Sequence, residues 1–252
     1  MAKKPLRLRL AHLYPKRMNI YGDRGNIMCL KRRCELRGIE FEAEPLELGD
    51  KLKPKETDLV FIGGAQDREQ RLVADDMVKV KAKALAEAAE RDTVILAVCG
   101  GYQLIGKFYR GADGVELPGA GILDIWTAHP GPDAERFIGN VVVKWGETTL
   151  VGFENHGGRT YLGKGAKPLA AVVAGYGNNG EDGTEGAVYR NVYGTYLHGS
   201  LLPKNPAFAD FLIENALRRQ QKDLRLAELD DRIETMAHAE AVRLATRRAI
   251  IG

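Results

Sequence analysis

One of the chain's three cysteines, Cys99, stands in a stretch able to support nucleophilic chemistry. The run Val94-Ile-Leu-Ala-Val98 is apolar throughout, ends in Ala97-Val98-Cys99-Gly100-Gly101, and leads into an apolar helical segment. Small-x-nucleophile-x-small at the end of a buried strand is the pattern of a nucleophile elbow, with cysteine in place of serine. The sharp strand-to-helix turn brings backbone segments together where a Cβ would clash, and its strain holds the sulfur out at the strand's carboxyl end. The following helix N-terminus and a nearby cation are expected to lower the thiol below its free value of about 8.5. A plain core cysteine would have no need of the flanking glycines.

A thiol that attacks an acyl carbon needs an imidazole to take and return its proton. Of five histidines, His198 closes the apolar run Val192-Tyr-Gly-Thr-Tyr-Leu-His198 and is the expected base, because it too would stand at the carboxyl edge of a sheet. His156, in Phe153-Glu-Asn-His-Gly-Gly158, is the second candidate, whereas His12, His129 and His238 read as structural or solvated. The tetrahedral oxygen needs backbone N–H donors. Gly100 supplies one directly after the nucleophile, and Gly64, ending Phe61-Ile-Gly-Gly64, is the expected second. One motif is turned down. Gly158 to Gly165 reads G-x-x-x-x-G-K, but Gly165 stands where a phosphate loop needs Ser or Thr, and Pro168 interrupts any following helix.

The elements that must position these groups alternate in the first half. An extended stretch from Leu6 to Leu13 precedes a helical stripe of Ile27, Leu30 and Cys34 that stops at Gly38; strands over 39–46 and 58–62 follow. A long amphipathic segment then places Val73, Met77, Val80, Ala84 and Ala88 on one face and feeds the strand before Cys99. A strand apolar on both sides belongs at the centre of a parallel sheet. The second half is strand-rich, over 137–145, 148–153, 169–173 and 187–197, and reads as the far side of the same sheet plus an antiparallel layer. From Asn205 the pattern is helical, with Leu226, Leu229, Ile233 and Met236 as a narrow stripe that could pack on the body or on a partner.

Composition removes other classes. With 37 basic and 34 acidic residues interleaved, the net charge of +3 makes no basic stripe for nucleic acid or an anionic membrane. The longest apolar run, Val94 to Cys99, is far short of the roughly 20 residues of a membrane helix. No secretory core follows the first methionine, and Cys29, Cys34 and Cys99 form neither a disulfide framework nor a zinc pair, so a cytoplasmic protein without a bound metal is expected.

Phe61-Ile-Gly-Gly64, Val98-Cys-Gly-Gly-Tyr-Gln103 and Tyr196-Leu-His-Gly199 together resemble the triad-type glutamine amidotransferase domain of the cobyric acid synthase branch, CobB/CobQ-like. His12-Leu-Tyr-Pro15 and Met18-Asn-Ile-Tyr-Gly-Asp-Arg-Gly-Asn-Ile27 are more narrowly similar to the glutaminase subunits of lipid II isoglutaminyl synthases. The likeness covers about residues 6 to 215. It implies a flavodoxin-like class I glutamine amidotransferase fold, an α/β domain with a mostly parallel central sheet, helices on both faces and a C-terminal helical tail. Residues 1–204 would be the glutaminase domain and 205–252 an extension packing on the body or a partner. By position, Cys99 matches the nucleophile, His198 the base, Gly64 and Gly100 the oxyanion amides, Gln103 a glutamine-holding residue and Arg136 an arginine near the glutamine pocket.

The implied reaction is hydrolysis of L-glutamine to glutamate, with ammonia passed to a Mur-ligase-like (MurT-type) partner that amidates D-glutamate of lipid II. No cofactor is expected in this chain; ATP and magnesium belong to the partner. Many such triads carry a carboxylate two residues after the histidine, where this chain has Ser200. Glu154 could orient the ring through space, but the resemblance implies an aspartate from the partner. A cysteine peptidase or deglycase on a similar sheet, and a non-catalytic binding module, are the competing readings.

Overall fold

Parallel strands cannot be joined by tight turns, so the first half of the chain spends helices on two of its crossovers and a twelve-residue irregular segment, 47–58, on the third. The computed structural model describes residues 5–20 and 22–249. Strand β1 (Arg7–Leu13) leads through α1 (Arg24–Glu35) to β2 (Glu40–Leu46), and β3 (Leu59–Ile62) follows. Helix α2 (Asp67–Asp76), a π-helical turn over Met77–Lys81 and α3 (Ala82–Glu90) return the chain to β4 (Val94–Val98), which runs into the short α4 (Gly100–Leu104). After α4 come β5 (Phe108–Arg110), β6 (Glu116–Pro118), β7 (Ile125–Ala128), β8 (Phe137–Trp145), β9 (Thr148–His156) and β10 (Arg159–Leu162). The last strands are β11 (Ala170–Ala174), β12 (Thr184–Glu185), β13 (Ala187–Tyr189) and β14 (Val192–Thr195), ahead of α5 (Pro206–Leu217) and α6 (Arg232–Ala249).

The central sheet has the order β2-β1-β3-β4-β14-β13, parallel except for β13 at the edge, which is the flavodoxin-like order with one added strand. Every residue of β3, β4 and β14 is buried, as a centre covered on both faces requires. The carboxyl ends of β3, β4 and β14 therefore meet at one edge, carrying Gly64, Cys99 and His198. Two four-stranded sheets, β10-β7-β5-β6 and β12-β11-β8-β9, stand beside it. The stretch resembling a phosphate loop is β10 and a turn in which the Gly165 N–H donates to Asp124 Oδ2 at 2.8 Å. No helix among the described residues is long and apolar enough to cross a membrane.

Two helical expectations change. The stripe Val73, Met77, Val80, Ala84, Ala88 assumes an unbroken α-helix, but the π-turn inserts a residue and moves the buried face onto Lys81 and Leu85, leaving Val80 and Ala84 only half-buried. Lys81 is fully buried and answers its desolvation by donating to Asp76 Oδ2 at 2.7 Å and Glu47 O at 3.0 Å.

The tail stripe is not one helix either. Leu226 and Leu229 lie in an irregular segment fixed by Glu214, which accepts the Leu226 N–H, and by Arg33 and Arg37, which grip Asp231 and the Ala227 carbonyl. Ile233 and Met236, in α6, face solvent at 80% and 74% exposure. Helix α6 instead lays Ala241, Val242 and Ala245 on Val142, Val151 and Ala174 of the antiparallel sheet. Helix α5 packs differently, burying Phe208, Leu212, Ile213 and Leu217 in the main core.

Candidate active site

Cys99 occupies the turn between β4 and α4 with φ +50° and ψ −107°, a strained backbone for a residue with a Cβ. The close approaches expected of the elbow are present. A Cβ on Gly100 would lie 2.8 Å from the Ala65 nitrogen, and one on Gly101 would lie 2.7 Å from the Ile62 oxygen. The Cys99 N–H donates to Thr195 O at 2.8 Å, tying the elbow to β14. The Gly100 N–H points at the Cys99 sulfur, so one expected oxyanion donor sits beside the nucleophile.

The expected lowering of the thiol is overturned. Burial pushes Cys99 up to about 12, and the Asp23 carboxylate adds to the rise; Gly100 and Arg136 oppose it without prevailing. Helix α4 has five residues, too few for a strong dipole. Cys29 and Cys34 are also pushed up by burial, to about 11 and about 12.

The second oxyanion amide is occupied. The Gly64 N–H donates to Asp23 Oδ2 at 2.5 Å, in a contact wholly out of solvent. Burial raises Asp23 to about 7 against the opposing effect of that hydrogen bond. Its other oxygen, Oδ1, has no hydrogen-bond partner among the described residues. The sequence gives no warning of this, because Asp23 and Gly64 are 41 residues apart.

His198 is 1% exposed and joined to β9 by paired backbone bonds with Phe153 at 3.0 and 3.1 Å. Burial first, then the nearby His156, Lys204 and Arg136, lower it to about 4, so the ring is neutral at pH 7 and able to accept a proton. Ser200, two residues on, donates to Gly22 O at 2.6 Å. Glu154 is committed elsewhere: its two oxygens accept the Tyr176 and Gly177 N–H groups at 2.8 and 3.0 Å. His156 donates from Nδ1 to Gly158 O at 2.9 Å and stacks on Tyr196 at 3.5 Å. Of the remaining histidines, His12 is buried in β1, His129 accepts the Gly131 N–H at 3.1 Å, and His238 is held between Thr149 and the Lys204 carbonyl.

A cavity of about 280 Å³ opens above Cys99, lined among others by Asp67, Gln70, Gln103, Tyr109, Arg136 and His156. The volume suits one amino acid rather than an extended peptide. A family model for the CobB/CobQ-like glutamine amidotransferase domain matches residues 9–206. The chain belongs to this family. It is 41% identical to the GatD subunit of lipid II isoglutaminyl synthase (glutamine-hydrolyzing) from Staphylococcus aureus, over 96% of this chain and 97% of that one. It is 39% identical to the corresponding Streptococcus pneumoniae subunit, over 90% of this chain and 87% of that one. Among solved structures, a glutamine amidotransferase from Thermotoga maritima matches with a TM-score of 0.53 at 16% identity, covering 95% of this chain and 92% of that one, a likeness of fold.

In this amidotransferase the two residues assigned to glutamine both reach the cavity. Arg136 donates to the side chain and carbonyl oxygens of Asn155 at 3.0 to 3.1 Å. Gln103 is 4% exposed, accepts from Gln70 Nε2 at 2.9 Å and donates to Tyr196 Oη at 3.1 Å. Sequence reasoning missed Asp67, Gln70 and Tyr109. Asp67 to Gln70 directly follow the Gly63-Gly64 turn, and that proximity was the available signal.

Proposed function

We propose that this chain is the glutamine-hydrolysing subunit of a lipid II isoglutaminyl synthase. The observation that carries the reading is a strained cysteine at the floor of a cavity sized for one amino acid, with a neutral histidine on the neighbouring strand end. The near full-length likeness to two subunits of that name supports the choice of synthase.

In the reaction the Cys99 thiol gives its proton to His198 as the sulfur adds to the side-chain amide carbon of L-glutamine. The oxygen that becomes negative is held by the Gly100 N–H, joined by the Gly64 N–H once Asp23 releases it. His198 returns the proton to nitrogen, ammonia leaves, and a thioester remains. Water, activated by the same imidazole, adds to the thioester; glutamate departs and the thiol reforms. Ammonia passes to a companion Mur-ligase-like chain that would amidate the α-carboxylate of D-glutamate to D-isoglutamine, the activation of that carboxylate being what bound ATP and magnesium would supply there. A carboxylate from that companion, two-residue neighbours of His198 having none to offer, orients the imidazole.

The test is amidation of lipid II by the two-chain complex. Cys99→Ala should abolish amidation from glutamine, by at least about 10³-fold, and leave amidation from ammonium salts intact. Failure of ammonium to rescue the variant would end the proposed division of labour.

A further inference from the structure

Two opposite charges face the cavity above Cys99, and neither has an ion-pair partner among the described residues. Asp67 accepts the Tyr109 hydroxyl at 2.9 Å, while the cation one helical turn on, Arg71, pairs with Asp113 instead. Arg136 bonds to the neutral side chain and carbonyl of Asn155. Both side chains act on the Cys99 sulfur, in opposite directions, so both lie within electrostatic reach of the reacting atom.

A third group points to the same ligand. Gln70, one of the residues lining the cavity, is 2% exposed; its nitrogen donates to Ala65 O and Gln103 Oε1, and its oxygen has no hydrogen-bond partner among the described residues. A buried acceptor without a donor is costly, and a ligand N–H removes that cost. The cavity therefore offers one anion, one cation and one amide acceptor around a thiol.

We propose that Asp67, braced by Tyr109, binds the α-ammonium of free L-glutamine and is the residue that makes the site select a zwitterionic amino acid. Arg136 takes the α-carboxylate, and Gln70 Oε1 accepts an N–H of the side-chain amide. The inference rests on the proposed glutaminase function and sharpens its substrate class. A glutamine whose α-nitrogen is tied up in a peptide bond carries no charge for Asp67 and is rejected, because the carboxylate would be left desolvated and unpaired.

Glutaramic acid, which is glutamine without its α-amine, is the probe. Glutamate or glutarate release is measured for the assembled two-chain enzyme, wild type and Asp67→Asn; asparagine keeps the acceptor for Tyr109 and removes only the charge. Asp67→Asn should raise KM for L-glutamine about tenfold or more, as expected for loss of a charged hydrogen bond, with kcat within about threefold. Its kcat/KM on glutaramic acid should stay within about twofold of wild type. Equal losses on both substrates, or no change on glutamine, overturn the assignment. Calorimetric titration of Cys99→Ala separates this from the glutaminase reading. If wild type releases no glutamate yet Cys99→Ala binds L-glutamine in an Asp67-dependent way, the reaction is wrong and Asp67 stands. If Cys99→Ala binds no glutamine, Asp67 falls with it.

Discussion

At the rim of the cavity Asp67 is half-buried and Arg136 exposed, and neither is paired with an opposite charge among the described residues. At the floor the groups are already closed on one another: Asp23 grips the Gly64 amide, and the thiol is buried and pushed up to about 12. The two regions ask different things of the substrate. The rim can bind an amino acid as it stands, since solvent-accessible side chains reorient at little cost. The floor must change before it reacts, because an oxyanion and Asp23 cannot hold one N–H together, and like charge beside the sulfur opposes thiolate formation. Recognition is thus separable from chemistry, and single substitutions should divide into those that alter KM and those that alter kcat.

The largest effect should come from the base. His198→Ala should lower kcat for glutamine hydrolysis by about 10²–10⁴-fold, the usual contribution of a positioned general base. His156→Ala should act mainly through KM, since that ring is a cavity wall fixed by Tyr196 and the Gly158 carbonyl. If His156→Ala takes the kcat loss and His198→Ala does not, the two roles are exchanged. A base must be unprotonated, so activity should fall as pH drops through His198's value, near 4 in this chain. A companion carboxylate facing the ring would move that limb upward.

The elbow was readable because its requirements are local: Cys99, Gly100 and Gly101 lie within three residues, and the steric need for glycine is met inside that window. The alternation of strands and helices before β4 was readable for a similar reason, since its apolar periodicities are local; the spatial order of the strands was not. Asp23 was not, because its effect depends on an acceptor meeting the Gly64 N–H across 41 residues. The shifted face around Lys81 was missed because a periodicity of 3.6 contains no sign of an inserted residue. In the tail, Ile233 and Met236 matched the spacing of a packed stripe, yet the surface available to α6 takes small side chains, Ala241 and Ala245.

An intermediate effect is expected at the rim. Arg136→Gln should raise KM for L-glutamine about tenfold or more while leaving kcat within a few-fold, since the guanidinium holds substrate rather than the reacting atoms. Glutaramic acid retains the α-carboxylate, so unlike Asp67→Asn this variant should weaken both substrates. A kcat loss comparable to that of His198→Ala would mean that rim and floor are one unit and the separation is false.

The smallest effect on turnover should come from Asp23, whose substitution changes stability at the floor in a pH-dependent way. Burial raises Asp23 to about 7 in the folded chain, against about 3.9 when unfolded. Below about pH 4 both states hold the proton. Between about 4 and 7 the unfolded chain ionises first, so folding loses stability as pH rises, and above about 7 the loss is complete. Asp23→Asn keeps an acceptor for the Gly64 N–H and has nothing to ionise. Its melting temperature relative to wild type should therefore climb from about pH 4 to pH 7 and then level off. At about 2–4 °C per kcal/mol for a chain of this size, a plateau on the order of ten degrees is expected. The same substitution removes the charge that helps to raise Cys99, so alkylation of that thiol should quicken at pH 8. A melting difference that does not vary with pH would show that Asp23 ionises normally, and the floor would then be less closed than its contact with Gly64 implies.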